Sequence, residues 1–563
     1  MKSVSKGDTG VKKFSDKRAV TIYFTLFVLL FVLIILPIVS VFSEAVIVDG
    51  RLDLKTAFLT VLSKGNVTTI TNSLILGILV VLVSTFISTP LAFLLARTRF
   101  SKFKWLDIVL MIPFMTPPYI SSMGWILFMQ KRGLFQQLFP YTGSLSEQFF
   151  SLGGLVMAMS FHVFPFMTTM IKNAILNIGM NLEESAAVGG ASFIYRMKKV
   201  MLPLLTGNYA IAILLVFVKT LSEYGTPSTI GNRIGFYVFT TDIHRYASTS
   251  PIDFGKASSL SSILVLICMI MWWIQNNTTS KHTYNLLGGK GKRESMYMCS
   301  KLTETLGGLY IFVIIILSIG IPYFSVIATS LIKLRGYGLA AGNFTFSHYV
   351  ELFTKNNKGW EAMTTSLYLA VASATIASII GTLLVVLIRK AKKWKKLIEV
   401  EALLPEMLPN IVLVIGMMLF WNKIYKWIPL YNTLGFMVLV YVIMFLPYSV
   451  QYVSSSLMQT GDSLLEAGKI CGGGRRYVFL HVTLPLIKGG VLQGWMMIFI
   501  IVFRELVGAS LISPPNVQTV STFIVREFEQ GSASVAMAMA LICVLLTTTL
   551  LIILNQVTAR KKY

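Results

Sequence analysis

The sequence predicts an all-α polytopic membrane protein, with about twelve transmembrane helices arranged as two parallel six-helix repeats. Three observations predict it. The 563-residue chain is 55% hydrophobic and 13% charged, with a mean hydropathy of +0.72, whereas soluble proteins carry roughly a quarter charged residues. Apolar runs of about 20 residues, long enough to cross a bilayer, recur along the whole chain. One loop also occurs twice, as LEESAAVGGASFIYRMKKVMLPLL at 182–205 and LLEAGKICGGGRRYVFLHVTLPLI at 464–487. Glu184, Gly190 and Pro203 return as Glu466, Gly472 and Pro485 at one constant offset.

Taken in order, spans 1 to 6 fall at about 19–42, 70–96, 105–129, 152–176, 201–225 and 256–275. Spans 7 to 12 fall at about 306–332, 363–388, 397–420, 434–458, 486–512 and 534–556. The basic N-terminus resembles the start of a signal peptide. The apolar stretch after it is too long for a cleaved segment, and no small-residue cleavage site follows, so span 1 is retained. The halves echo each other elsewhere: Asn72-Ser73-Leu74 and Thr365-Ser366-Leu367, Pro113 and Pro117 with Pro405 and Pro409, Pro165 with Pro447, Glu223 with Glu505. An even number of spans separates the copies, so both halves have one orientation. The division is a first domain at 1–280, a linker at 281–304 and a second domain at 305–563.

A net charge of +25 and a pI of 9.8 invite a nucleic-acid reading, but no basic domain with interleaved aromatics lies outside the apolar runs. The cations instead mark orientation. Roughly 30 Lys and Arg fall on the side of the termini and roughly 15 on the other. They include Arg97, Arg99, Lys102 and Lys104, and the run from Arg389 to Lys396. The termini and both repeated loops are therefore expected in the cytoplasm, with the chain multi-pass in the cell membrane and lipid as its main solvent. The four cysteines, Cys268, Cys299, Cys471 and Cys543, imply no disulfide framework.

Each repeated loop has an internal logic. Glu183-Glu184-Ser185-Ala186-Ala187 favours helix and carries its acid early, where a helix dipole favours it. Gly189-Gly190 then permits a tight turn. A basic segment with Arg196, Lys198 and Lys199 follows, and Pro203 is placed in the first turn of the next helix, where proline is tolerated. Each copy predicts a protruding knob continuous with span 5 or span 11. One such loop is an ordinary connection; two in register need a water-facing partner common to both.

Glu184-Ser185-Ala186 with Gly190, and Glu466-Ala467-Gly468 with Gly472, each leading to Leu-Pro, resemble the cytoplasmic coupling loop of binding-protein-dependent ABC importer permeases. Ser185 and Gly468 depart from the alanines of that pattern, and both are small. The resemblance covers nearly the whole chain, as two fused permease domains of the type I importer fold. It implies an ATPase dimer that receives the two loops through Glu183, Glu184, Ala186, Gly190, Glu466, Ala467 and Gly472. It implies an extracytoplasmic substrate-binding protein on the other side. The chain would translocate without catalysing a reaction and hold no cofactor, ATP and magnesium residing on the partner. The absence of a G-x-x-x-x-G-K-[ST] phosphate loop agrees.

Ionisable groups at membrane depth default to functional candidates. Glu223 and Glu505 stand at equivalent places near the outer ends of spans 5 and 11, each with a cation close by, Lys219 and Arg504. A structural ion pair and a pair of carboxylates facing a central pathway both remain open. Glu406 has Phe114 as its counterpart, so a pathway that includes it is asymmetric. Glu223-Tyr224-Gly225-Thr226-Pro227 is similar to permeases of the ferric-iron branch, which makes ferric iron the expected substrate. Aminoethylphosphonate, thiamine, polyamine and sulfate importers share the architecture. The five histidines show no ligand spacing, so no resident metal site is expected. Met157, Met159, Met537 and Met539 are read as packing. The rival reading is a gradient-driven secondary transporter, which would need no ATPase and gives no reason for duplicated knobs.

Overall fold

The computed structural model describes residues 20–48, 50–281, 300–354, 358–389, 394–459 and 462–559. Most of the linker expected at 281–304 lies outside them, as do Cys299, His282 and Lys390. Among the described residues ten long apolar helices supply spans 1, 2, 4, 5, 6, 7, 8, 10, 11 and 12. They are Val20–Val46, Lys64–Arg97, Leu152–Asn177, Phe193–Ser222, Phe254–Thr278, Lys301–Leu331, Lys358–Ile388, Leu434–Met458, Arg476–Phe503 and Ala533–Ile553.

Spans 3 and 9 depart from the single continuous spans the sequence predicted. Lys104–Met115 meets Pro118–Met129 at 89°, and Lys395–Met407 meets Asn410–Lys423 at 110°. The cause is local. Proline disfavours the helical region for the residue before it, and Thr116 and Leu408, before Pro117 and Pro409, are extended, with ψ of 138° and 145°. The bent pair still carries the chain across. Arg97, at the end of span 2, donates to the carbonyl oxygens of Ile175 and Ile178, at the end of span 4, at 3.0 and 2.8 Å. Two consecutive long helices that end on one face require one crossing between them.

Pro203 and Pro485 stand in the first turn of helices Leu202–Ser222 and Leu484–Phe503, as expected, but the helical path starts earlier. The helical path of span 5 begins back at Phe193, and a π-helical turn, Met197–Met201, precedes Leu202-Pro203. The same device occurs at Phe479–Thr483 before Pro485, Phe31–Ile35 before Pro37, and Ile316–Gly320 before Pro322. Proline has no N–H and crowds the carbonyl four residues back; the wider turn lets the helix continue.

Three contacts fix the faces. Arg99 pairs with Glu304 at 2.8 Å, placing the start of span 7 beside the end of span 2. Phe27 of span 1 packs edge-on against Trp394, ring centroids 5.7 Å apart. On the opposite face Ser534, opening span 12, donates to Ile332 O at 3.1 Å. The start of span 1, the end of span 12 and both repeated loops therefore share one face, the loop face.

The halves interlock. A Cβ added at Gly124, in the second arm of span 3, would stand 2.6 Å from Pro322 O in span 7. A Cβ at Gly416, the equivalent place in span 9, would stand 2.6 Å from Pro37 O in span 1. Each half thus lends its first helix to the other. One buried cluster accordingly runs through both, with Tyr119 and Phe239 from the first half beside Phe436 and Phe503 from the second. Met159, Met537 and Met539 are buried packing residues.

Candidate functional site

The two loops have the same architecture. In the first, helix Met180–Val188 closes on Gly190 at φ +83°. Gly190 N–H donates to Ala187 O at 2.9 Å and Ala191 N–H to Ala186 O at 3.0 Å, the paired bonds of a glycine-terminated helix. In the second, helix Asp462–Ile470 closes on Gly472, also at φ +83°, and Gly473 N–H donates to Gly468 O at 3.1 Å. The left-handed backbone at these two glycines is strained for any side chain.

Glu184, Gly190, Glu466, Ala467 and Gly472 are exposed on these knobs, and Ala186 is half-buried. Glu183 differs. It is fully buried, with Oε1 3.1 Å from the guanidinium of Arg97. Arg97 thus gathers the end of span 4 and the loop helix onto the end of span 2. Glu183 holds the knob in place, whereas its neighbour Glu184 faces water. Leu465 occupies the corresponding place in the second loop.

Four residues were missed in the sequence. Val188 and Ile470, at the tips of the two loop helices, are 90% and 85% exposed; Tyr195 and Tyr477 are 56% and 59% exposed. Both pairs are related by the same offset as the loop glycines, and that register was the signal available. Large apolar side chains left uncovered at equivalent places mark a surface built to be covered.

On the opposite side Glu223 and Glu505 do related work. The Glu223 carboxylate accepts from Thr226 N–H at 3.0 Å. That of Glu505 accepts from Gly508 N–H at 2.9 Å and Ala509 N–H at 3.1 Å. Among the described residues neither forms an ion pair with Lys219 or Arg504. The Glu223 carbonyl accepts from Thr240 Oγ1 at 2.8 Å, and the Glu505 carbonyl from the Ser521 hydroxyl. These hydroxyls open the outer helices Phe239–Ser248 and Val520–Gln530. Those helices are hung from spans 2 and 8, where Ser73 Oγ accepts from Phe239 N–H and Ser366 Oγ from Val520 N–H, both at 2.8 Å. The echo of Asn72-Ser73-Leu74 in Thr365-Ser366-Leu367 therefore marks a duplicated bracket.

Glu505→Ala is expected to strand the two inward N–H groups, each costing about 1–3 kcal/mol, and to lower the melting temperature in detergent. Glu505→Gln keeps an acceptor oxygen and should restore most of it. An unchanged melting temperature for the alanine variant would show that the bracket carries no load.

Glu406 is exposed and accepts from Gln451 Nε2. Its repeat counterpart, Phe114, lies beneath the Lys219 ammonium at 5.5 Å, as does Phe166 at 5.1 Å. Lys219 is within electrostatic reach of Glu406 and is ringed by protein while its surface stays accessible. Lys219 thus relates positions 114 and 406, which the repeat also pairs, standing over the ring of one and within electrostatic reach of the other. No group of three or more His, Cys, Asp or Glu placed to hold a metal occurs among the described residues.

Comparison with known proteins gives the following. The family described as "binding-protein-dependent transport system inner membrane component" matches twice, at residues 88–281 and 373–562. Both matches omit the exchanged spans 1 and 7. The ferric transport system permease protein FbpB of Actinobacillus pleuropneumoniae is 23% identical over 96% of this chain and 78% of its own length. A putative ferric transport system permease protein of Haemophilus influenzae is 24% identical over 86% of this chain and 76% of its own. The sulfate transport system permease protein CysT of Salmonella typhimurium is 23% identical over 35% of this chain and 71% of its own length.

Proposed function

Because this chain belongs to the family of inner membrane components of binding-protein-dependent transport systems, we propose that it is the permease of an ATP-driven importer of ferric iron. The observation that carries the mechanism is the pair of equivalent knobs on one face, each closed by a left-handed glycine and tipped by an uncovered apolar side chain. The excess of Lys and Arg on that face supports a cytoplasmic placement. There Val188 with Tyr195, and Ile470 with Tyr477, dock into the two subunits of a separate ATPase, which holds ATP and magnesium. Closure of the ATPase moves spans 5 and 11, with which the knobs are continuous. The permease domains are 1–280 and 305–563, joined through 281–304, and an extracytoplasmic binding protein delivers substrate to the opposite face.

We assign the translocation path to the region between Lys219 and Glu406, which lie within electrostatic reach of each other, with Glu223 and Glu505 bracing the outer ends of spans 5 and 11. Iron is supported by the ferric transport for which the relatives that span most of this chain are named. Sulfate is the second reading, favoured by the half-length sulfate relative.

Two measurements test these assignments. Reconstituted with its ATPase, the chain should show ATP hydrolysis stimulated by an iron-loaded binding protein. Silence with iron and stimulation by a sulfate-loaded one would move the substrate to sulfate. Gly190→Val with Gly472→Val should strain both turns by about 1–2 kcal/mol each and release the ATPase during co-purification. Retention of the ATPase at wild-type stoichiometry would reject the docking assignment.

A further inference from the structure

On the face opposite the loops, each half carries a short helix between its first two spans. In the first half Leu54–Val61 stands between Val46, the end of span 1, and Lys64, the start of span 2. In the second, Ser347–Thr354 stands between Leu331, the end of span 7, and Lys358, the start of span 8. Local chemistry starts the first of them. Asp53 is its N-cap, with a carboxylate that accepts from Thr56 N–H at 2.9 Å and from the Thr56 hydroxyl at 2.7 Å. The two helices rest on equivalent supports, the first on span 6 and the second on span 12.

Both turn an apolar side away from the protein. On the first, Ala57, Thr60 and Val61 are half-buried, whereas Leu54, Phe58, Leu59 and Leu62 are each more than half exposed. Steps of four residues place Leu54, Phe58 and Leu62 in one stripe. On the second, His348 and Leu352 are buried, and His348 Nε2 lies 3.0 Å from Ile332 O. Phe346, Val350 and Phe353 are exposed at the spacing of a single helical face. Apolar stripes left open in this way mark a surface that something covers.

Three observations identify the cover as lipid. The first helix is held at the membrane boundary, because only Leu62 and Ser63 separate it from span 2. Apolar exposure also continues past that link, where Val67, Ile75, Ile78, Leu82 and Phe86 form the open stripe of span 2. Finally, the two helices share apolarity and nothing finer: leucines around one phenylalanine on the first, two phenylalanines and a valine on the second. A protein groove selects like shapes at equivalent places, as at the knob tips; a fluid selects apolarity alone.

We propose that these two helices lie in the plane of the membrane, in the leaflet opposite the loops. Leu54, Phe58 and Leu62, and likewise Phe346, Val350 and Phe353, are sunk about 5–10 Å into the boundary between headgroups and acyl chains. Lys55 and Lys64, both exposed, reach the headgroups from there on their long stems. Each helix thereby holds one end of an exchanged span, 1 or 7, at a fixed depth. This role needs only that the chain crosses a bilayer and is independent of what it carries.

The test uses the full chain, one copy per lipid nanodisc, with nitroxide spin labels on single cysteines. Cys299→Ser and Cys471→Ser leave only the buried Cys268 and Cys543. Labels are then attached in Phe58→Cys and Val350→Cys, with Phe86→Cys as the hydrocarbon reference and Val188→Cys as the water reference. All four side chains are exposed, so labelling displaces no packed group. Labels at 58 and 350 should collide with dissolved oxygen as often as the one at 86. They should meet a water-soluble nickel chelate several-fold less often than the one at 188. With the label moved to Leu62→Cys, adding Phe58→Asp should raise chelate contact several-fold, because a charge is expelled from the apolar boundary, while adding Phe58→Leu should not.

Chelate contact at 58 and 350 equal to that at 188 overturns the proposal. So does shielding at one helix without the other, since the repeat gives both the same place. Shielding that appears only on adding a binding protein, or only in proteoliposomes that crowd several copies together, overturns it as well. The cover would then be a protein partner or a second copy of this chain.

Discussion

Arg97→Met is expected to lower stability by about 3–5 kcal/mol, the cost of leaving a buried charge without its partner. The partner is Glu183, fully enclosed, and the same guanidinium satisfies two carbonyl oxygens at the end of span 4. The second half indicates the remedy. Leu465 is the repeat counterpart of Glu183 in the sequence, which makes leucine the apolar replacement to use. Arg97→Met combined with Glu183→Leu should therefore recover most of the loss, since replacing a buried ion pair with packed apolar groups is often neutral. Thermal unfolding in detergent reads both effects. Equal melting temperatures for the single and double variants would mean that the ion pair does not anchor the knob. ATPase coupling should follow stability in the single variant, because the first knob loses its seat on span 2 while its exposed tip is unaltered.

Gly124→Leu and Gly416→Leu should each separate the two halves. At both positions a Cβ would lie 2.6 Å from a backbone carbonyl oxygen of the other half's first helix. A backbone atom cannot swing aside as a side-chain tip does. Relief requires moving spans 1 or 7 outward, with a penalty of about 1–3 kcal/mol or more for overpacking. A protease site engineered into the linker provides the readout. After cleavage the wild-type halves should elute together, held by the exchanged helices, and the leucine variants should elute apart. Co-elution of the leucine variants would show that the contact across the halves is dispensable.

The spans were legible because the bilayer imposes a length and a polarity on any stretch that crosses it. The duplicated loop was legible for a different reason. Helix, left-handed glycine and helix are specified by neighbours in one short stretch of chain, and two copies at one offset confirmed each other. The serines of spans 2 and 8 were visible as an echo, although their use as acceptors for the outer helices was not.

Other features had no local signature. Pro117 and Pro409 announced breaks, but the bends of 89° and 110° depend on what each arm packs against. Glu183 and Glu184 are adjacent and chemically identical, yet about 100° of helix rotation buries one and exposes the other. For Glu223 and Glu505 the sequence left open an ion pair with the neighbouring cations and a place on a central pathway; the folded chain gives their carboxylates backbone N–H groups.

By itself the sequence determined the long apolar helices, the repeat and the paired knobs, because hydropathy and turn chemistry act over short stretches. Only the tertiary structure decided that spans 1 and 7 change halves, and that Lys219 stands over Phe114 and within electrostatic reach of Glu406. Lipid tails are as apolar as the helices they surround, so hydrophobicity cannot say which helix packs on which. That choice falls to close backbone approach and to polar groups that find partners far away in the chain.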